Sequence, residues 1–176
     1  PVSFCYNPQT AVDNVFQIMP QEKPADVQAK ALQEFDNYVE TLRSKGVEVI
    51  VFQDTKEPHT PDSIFPNDWV SYHEDGTYAI YPMFAENRRQ ERREDIMEEL
   101  QKKYGFKITR KVDFTEEEKK GLYLEGAGVL VFDYPNKIVY CCVSNRAQKV
   151  MIEKAAAELG YKAVTFKAVD HQGVEL

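Results

Sequence analysis

The chain has 176 residues, 43% of them hydrophobic and 12% aromatic, with a formal net charge of −7 and a pI near 5.1. It is too apolar to be disordered, and too acidic for nucleic acid or an anionic membrane to be its main partner, since both repel it. No apolar run approaches the roughly 18 residues of a membrane span, and three cysteines, two of them adjacent, make neither a disulfide framework nor a metal-ligand pattern. A cytoplasmic protein without metal or cofactor is expected.

The elements follow in order. "VSFCY" reads as a lone strand, followed by a long loop and a helix opening near Pro24, where proline's fixed φ suits the first turn. Gly46 closes that helix, and "VEVIVF" after it alternates as a strand. "WVSYHEDGTYAIYPM" gives two alternating runs joined at Asp75-Gly76, a strong hairpin signal. One helix is predicted over 87–104. Glu98 with Lys102 and Glu99 with Lys103 stand at i,i+4 on it, and Ile96, Met97, Leu100 and Tyr104 make a narrow apolar stripe. Arg88 and Arg89 fall in its first turn, where positive charge opposes the helix dipole and suggests anion binding. A strand follows Gly105, and Thr115 with Glu118 fits a capping box for one short turn. "GVLVFDYPNKIVYCCV" repeats the hairpin with Pro135-Asn136 at the bend. Ser144 or Asn145 can cap the next helix, which runs to Leu159, and Gly160 opens the last strand.

Gly46, Gly105 and Gly160 are almost evenly spaced, each between a helix end and a strand, and this marks an internal repeat. The repeated unit is strand, strand, helix, strand. The expected domain is a single α/β array over 1–176, with units at about 1–54, 62–113 and 122–170 and no hairpin in the first. Three such units curve but hardly close, and closed forms commonly use four or more. The chain is therefore read as a partial array.

The repeat also sets Asp68 in "FPNDWV" and Glu125 in "LEGAGV" at equivalent places ahead of a hairpin, on one rim. Asp68 is flanked by Phe65, Pro66 and Trp69, where a carboxylate is costly to bury without a cation or several donors. Gly126, Ala127 and Gly128 after Glu125 leave room for close approach. Two converging carboxylates can bind the flat, multi-donor face of a guanidinium or ureido group. Spacing alone leaves a second reading open, in which Asp68 caps a turn and Glu125 forms a salt bridge. Cys141 and Cys142 lie mid-strand and read as core rather than nucleophiles. His59, in a loop between prolines, and His73, next to the hairpin turn, read as exposed, and His171 lies nearer the rim. No Ser-His-Asp set or phosphate loop can be assembled.

"FPNDW", "YPM…NRR…R", "LEGAG.LVFD" and "SNRA", in this order, resemble the guanidino-group-modifying superfamily of arginine deiminase, dimethylargininase and the amidinotransferases. "NPQTAVDNVFQ" is most similar to its citrulline-utilization hydrolase branch. The resemblance implies the pentein fold, a fivefold α/β propeller with a central active site, here with about three of five units. It implies that Asp68 and Glu125 are catalytic, holding the guanidino or ureido group, and that Arg146 holds the substrate carboxylate with Arg88 as a second ligand. Asn67, Trp69 and Gly126 would line the site, and Gln9 and Asn14 would belong to an entrance loop. The family's histidine and nucleophilic cysteine match no position here, so this chain alone is expected to be inactive. "EGAG" in place of "EGGD" argues against a standard arginine deiminase. The implied function is hydrolysis at the guanidino or ureido carbon of an arginine- or citrulline-like amino acid through a covalent cysteine intermediate. Amidino transfer and a non-enzymatic binding module are the alternatives. A small-molecule partner follows, with a homodimer as the assembly kept in view.

Overall fold

Glycine ends the long helices where the sequence expects it. Gly46, Gly105 and Gly160 take left-handed φ values of 81°, 73° and 77° at helix ends, Gly105 and Gly160 directly after the helix and Gly46 one residue further on, a conformation that costs a residue with a Cβ but not glycine. The computed structural model describes residues 2–12, 14 and 17–173. The chain forms two compact units, Pro1–Phe65 with Ala85–Glu91, and Pro66–Phe84 with Arg92–Leu176.

The first unit holds α1 (Pro24–Ser44) and the short α2 (Glu86–Arg89). Pro24 begins α1, and the helix closes with Gly46 N–H on Arg43 O at 2.9 Å and Val47 N–H on Leu42 O at 3.1 Å. The strands expected at "VSFCY" and after Gly46 form no ladder among the described residues. A strand persists only when its backbone groups find a partner, and the described residues of this unit form no hairpin to supply one.

The second unit contains two three-stranded sheets of identical build. In the first, β1 (Val70–Tyr72) pairs antiparallel with β2 (Thr77–Ile80), α3 (Glu94–Tyr104) crosses over, and β3 (Arg110–Asp113) pairs parallel with β2. In the second, after the short helix α4 (Gly126–Val129), β4 (Leu130–Asp133) pairs antiparallel with β5 (Ile138–Cys142). Then α5 (Lys149–Leu159) crosses, and β6 (Lys162–Phe166) pairs parallel with β5. The Asp75-Gly76 hairpin forms as expected, with Gly76 at φ 85° and Thr77 N–H on Asp75 Oδ1 at 2.8 Å. Gly76 also receives the next strand, because Thr109 N–H bonds to its carbonyl at 2.9 Å. A Cβ there would stand 2.6 Å from Lys107 O.

Three local expectations are corrected. The helix expected over 87–104 is two, α2 and α3, because "NRRQERRED" has no apolar residue to hold a continuous helix on a core. Thr115 and Glu118 form no capping box. Thr115 bonds to Asp113 Oδ1, and Glu118 accepts from Met83 N–H at 2.7 Å and pairs with Arg92. Helix α5 is preceded by Gln148, and neither Ser144 nor Asn145 caps it, since Ser144 and Ala147 are taken up in a backbone bridge of their own.

The core explains how the sheets stack. Val70, Tyr78 and Ile80 bury one face of the first sheet with Met97 of α3. Ala79 and Val112, on the other face, share a cluster with Met151, Ile152, Ala155 and Ala156 of α5 and with Val139 and Cys141 of the second sheet. By register, the row Ser71–Ala79–Val112 corresponds to Val131–Tyr140–Val164 in the second sheet. That second row is open, with Val131 66% and Tyr140 37% exposed. Among the described residues no helix is long and apolar enough to cross a membrane.

Candidate active site

"FPNDW" folds as a 3-10 turn over Pro66–Asp68 entering β1, and Trp69 drops into the core beside Val70, Ile80 and Met83. Trp69 was expected to line the site, and its burial instead makes it the anchor of this turn. Asn67 is exposed and donates from Nδ2 to Asp68 Oδ1 at 3.2 Å, leaving Asp68 half-buried.

Two glycines bring the second motif onto the first. Gly126 has φ 40°, and a Cβ on it would meet Asn67 O at 2.8 Å, Asp68 O at 2.9 Å and the Tyr81 ring at 2.9 Å. A Cβ on Gly128 would fall inside the envelope of Asp68 Oδ1. The Asp68 carboxylate thus lies directly on the backbone of the turn that Glu125 opens.

Glu125 is 3% exposed. Its Oε1 accepts from Phe84 N–H at 3.2 Å, its Oε2 faces Arg146 Nη1 at 3.4 Å, and its own N–H donates to Arg146 O at 3.0 Å. Two backbone bridges, Leu124 to Ala147 and Ser144 to Ala147, hold the "LEG" and "SNRA" segments together. The structure therefore brings Asn67, Asp68, Glu125, Gly126 and Arg146 into one neighbourhood of acceptors with one guanidinium. At 3.4 Å this contact is longer than the usual charge-assisted range.

Arg88 belongs to the first unit and is buried there. Its Nε and Nη2 each lie 3.0 Å from Glu91, and Nη2 also reaches Phe65 O at 3.1 Å. A carboxylate, that of Glu91, already stands where the sequence expected a substrate's. Gln9 Oε1 accepts from Asn87 N–H at 3.0 Å, and Asn14 O accepts from Gln17 N–H at 3.0 Å.

Sequence reasoning missed Asn7, which is fully buried, with Nδ2 on Asp62 Oδ2 at 2.7 Å and Oδ1 accepting from Asn87 at 2.8 Å and from Gln9 N–H at 3.1 Å. The Asn7-Pro8 pair was the available signal, since this dipeptide starts turns. It also missed His73, expected to be exposed. His73 is half-buried, edge-on to Phe132 at 5.3 Å, and its Nε2 meets Ser71 Oγ at 3.1 Å, which in turn meets Tyr81 OH at 2.7 Å. Burial holds its pKa below the ordinary histidine value, partly offset by Asp75 and reinforced by Lys137. His59 is exposed and lies 3.6 Å from Cys5 Sγ, and His171 is exposed beyond β6. Cys141 is buried in the core with its thiol pushed up to about 12, by burial and then by Cys142, and burial also raises Cys5.

Over its whole length the chain matches a family of the pentein superfamily, related to dimethylargininase. The chain belongs to the eukaryotic N,N-dimethylarginine dimethylhydrolase family, whose model it matches over residues 1–176. A search of curated proteins gave no match. Among solved structures it is similar to the substrate-bound N-terminal domain of ArgZ, a cyanobacterial arginine dihydrolase, at 16% identity and a TM-score of 0.63, covering 99% of this chain and 56% of that one. It is also similar to the citrulline complex of the Pseudomonas aeruginosa dimethylarginine dimethylaminohydrolase, at 21% identity and a TM-score of 0.56, covering 81% and 51%. A dimethylarginine dimethylaminohydrolase adduct with S-methyl-L-thiocitrulline matches at 23% identity and 0.54, covering 83% and 53%. At these identities the likeness is one of fold, and the chain spans about half the length of these relatives.

Proposed function

We propose that this chain holds the substrate of a hydrolase that cleaves a C–N bond at the guanidino or ureido carbon of an arginine-like amino acid. The observation that carries the reading is the Asp68 carboxylate lying on Gly128, in the turn that buried Glu125 opens. Asp68 and Glu125 accept the N–H groups of the planar head, and Arg146 leaves Glu125 to take the substrate carboxylate with its planar fork. The two carboxylates then stabilise positive charge as the carbon becomes tetrahedral, by electrostatic preorganisation.

The attacking thiolate is proposed to come from outside the described residues. A thiol such as Cys141, with a pKa of about 12, is almost wholly protonated at neutral pH. Release of the adduct to an acceptor amine instead of water would make the protein an amidinotransferase. A non-enzymatic binding module is the second reading, favoured by the Glu125–Arg146 pair already made. The ring of five units, in a cytoplasmic protein, is likewise proposed. Its support is the open row Val131–Tyr140–Val164, whose counterpart in the first sheet is covered by α5.

The test is to offer the full-length protein L-arginine, L-citrulline and N,N-dimethylarginine and to measure released ammonia or amine. Turnover is expected, and Asp68→Asn should lower kcat/KM at least about 100-fold, which is about 2.7 kcal/mol, with Tm level or higher. Binding without turnover would support the module. Unfolding of Asp68→Asn with intact activity in the folded fraction would make Asp68 a turn cap.

A further inference from the structure

Glu118 has no place in the site just described, and the sequence offered it only a helix cap. Its carboxylate is nonetheless mostly buried and engages both backbone and side chain. Oε1 accepts from Met83 N–H at 2.7 Å, and the same group pairs with Arg92, whose Nη2 also donates to Tyr81 O at 2.9 Å. Arg92 Nε is buried with no hydrogen-bond partner among the described residues, so this guanidinium is committed through its terminal nitrogens at the expense of its third donor position. The pair therefore ties the backbone of residues 81–83 at two points, Tyr81 O and Met83 N–H. Leu124 N–H fixes the same segment at Pro82 O, 2.9 Å away. The next N–H along, that of Phe84, is the one that binds Glu125 Oε1, and the Phe84 ring stands edge-on to Tyr123 at 5.3 Å.

We propose that Glu118 and Arg92 are positioning residues for Glu125, acting through the 81–84 backbone to aim the Phe84 N–H at its carboxylate. The proposal rests on the hydrolase reading for its kinetic consequence but not for its structural one. A carboxylate used in the transition state must be held to a fraction of an ångström, and a displacement of about 1 Å can cost up to about 100-fold in rate. Glu118→Ala removes the acceptor of Met83 N–H and leaves Arg92 without its anion, whereas Glu118→Gln keeps an acceptor for Met83.

In the full-length protein, Glu118→Ala should lower kcat about tenfold with KM within about threefold, and Glu118→Gln should recover most of that loss. Amide hydrogen exchange at Met83 and Phe84 should quicken in Glu118→Ala and stay near the parent rate in Glu118→Gln. If Glu118→Ala lowers Tm but leaves exchange at Phe84 and kcat of the folded fraction unchanged, Glu118 is only a structural tie and the proposal fails. Equal impairment of the two variants would also overturn it. Should the parent protein turn over no guanidino or ureido compound, the hydrolase reading falls, while the exchange rates still decide the positioning role.

Discussion

Two glycines two positions apart separate fold from function at the smallest scale. Gly126 would press a Cβ onto the backbone carbonyls of Asn67 and Asp68 and already holds φ 40°. Backbone cannot step aside, so Gly126→Ala should cost about 2 kcal/mol or more, read as a lower denaturation midpoint. Gly128 has no positive φ, and its Cβ would press on the carboxylate end of Asp68, a flexible group, with Asn67 Nδ2 at an ordinary 3.6 Å. Gly128→Ala should therefore keep its midpoint within about 0.5 kcal/mol of the parent while weakening binding of arginine or citrulline at least about tenfold, measured by calorimetry. Equal loss of stability in both would mean that Asp68 is as rigid as the backbone beneath it.

At the scale of the element, the first hairpin carries a titrating group inside its packing. His73 is half-buried among Phe132, Tyr134 and Tyr161, with its pKa depressed chiefly by burial. The unfolded chain therefore binds a proton more readily than the folded one. His73 contributes its stability in full above the ordinary histidine range, about pH 6.5, and that contribution is lost as pH falls through the lower folded-state value. Urea denaturation at about pH 7.5 and about pH 5 should show a drop that shrinks in His73→Phe. An unchanged drop would place the pH dependence elsewhere. The hairpin itself was legible, because Asp75-Gly76 between alternating runs leaves little choice, and so were the three glycine-ended helices. The capping box was not: Glu118 is drawn away by Met83 and Arg92, partners 35 and 26 residues distant that no local pattern reveals. For the same reason the sequence could place Asp68 and Glu125 at equivalent points of a repeat but could not show Trp69 turning into the core or Arg88 closing on Glu91.

For the whole molecule, the repeated sheet makes two commitments. The first concerns the open row. With the proposed ring, Tyr140 in the full-length protein should oxidise more slowly under hydroxyl-radical footprinting than Tyr38, which is exposed on α1, and equal rates would argue against a further unit on that face. The second concerns time. Each sheet joins a hairpin closed by a few residues to a parallel strand that returns only after a helix, and closing the longer loop is the slower, entropically dearer event. Gly76 stands at the junction, since its conformation makes the turn and its carbonyl receives Thr109, whose Oγ1 also reaches Asp75 O at 3.0 Å. The two contacts should part in the chevron. Thr109→Val, which keeps the N–H bond to Gly76 O and removes only the Oγ1 bond to Asp75 O, should quicken unfolding with refolding nearly unchanged, whereas Gly76→Ala should slow refolding as well. A hairpin whose turn residue is also the landing place for the third strand would then act as the clock of its sheet, setting the order in which strands join as well as their final register.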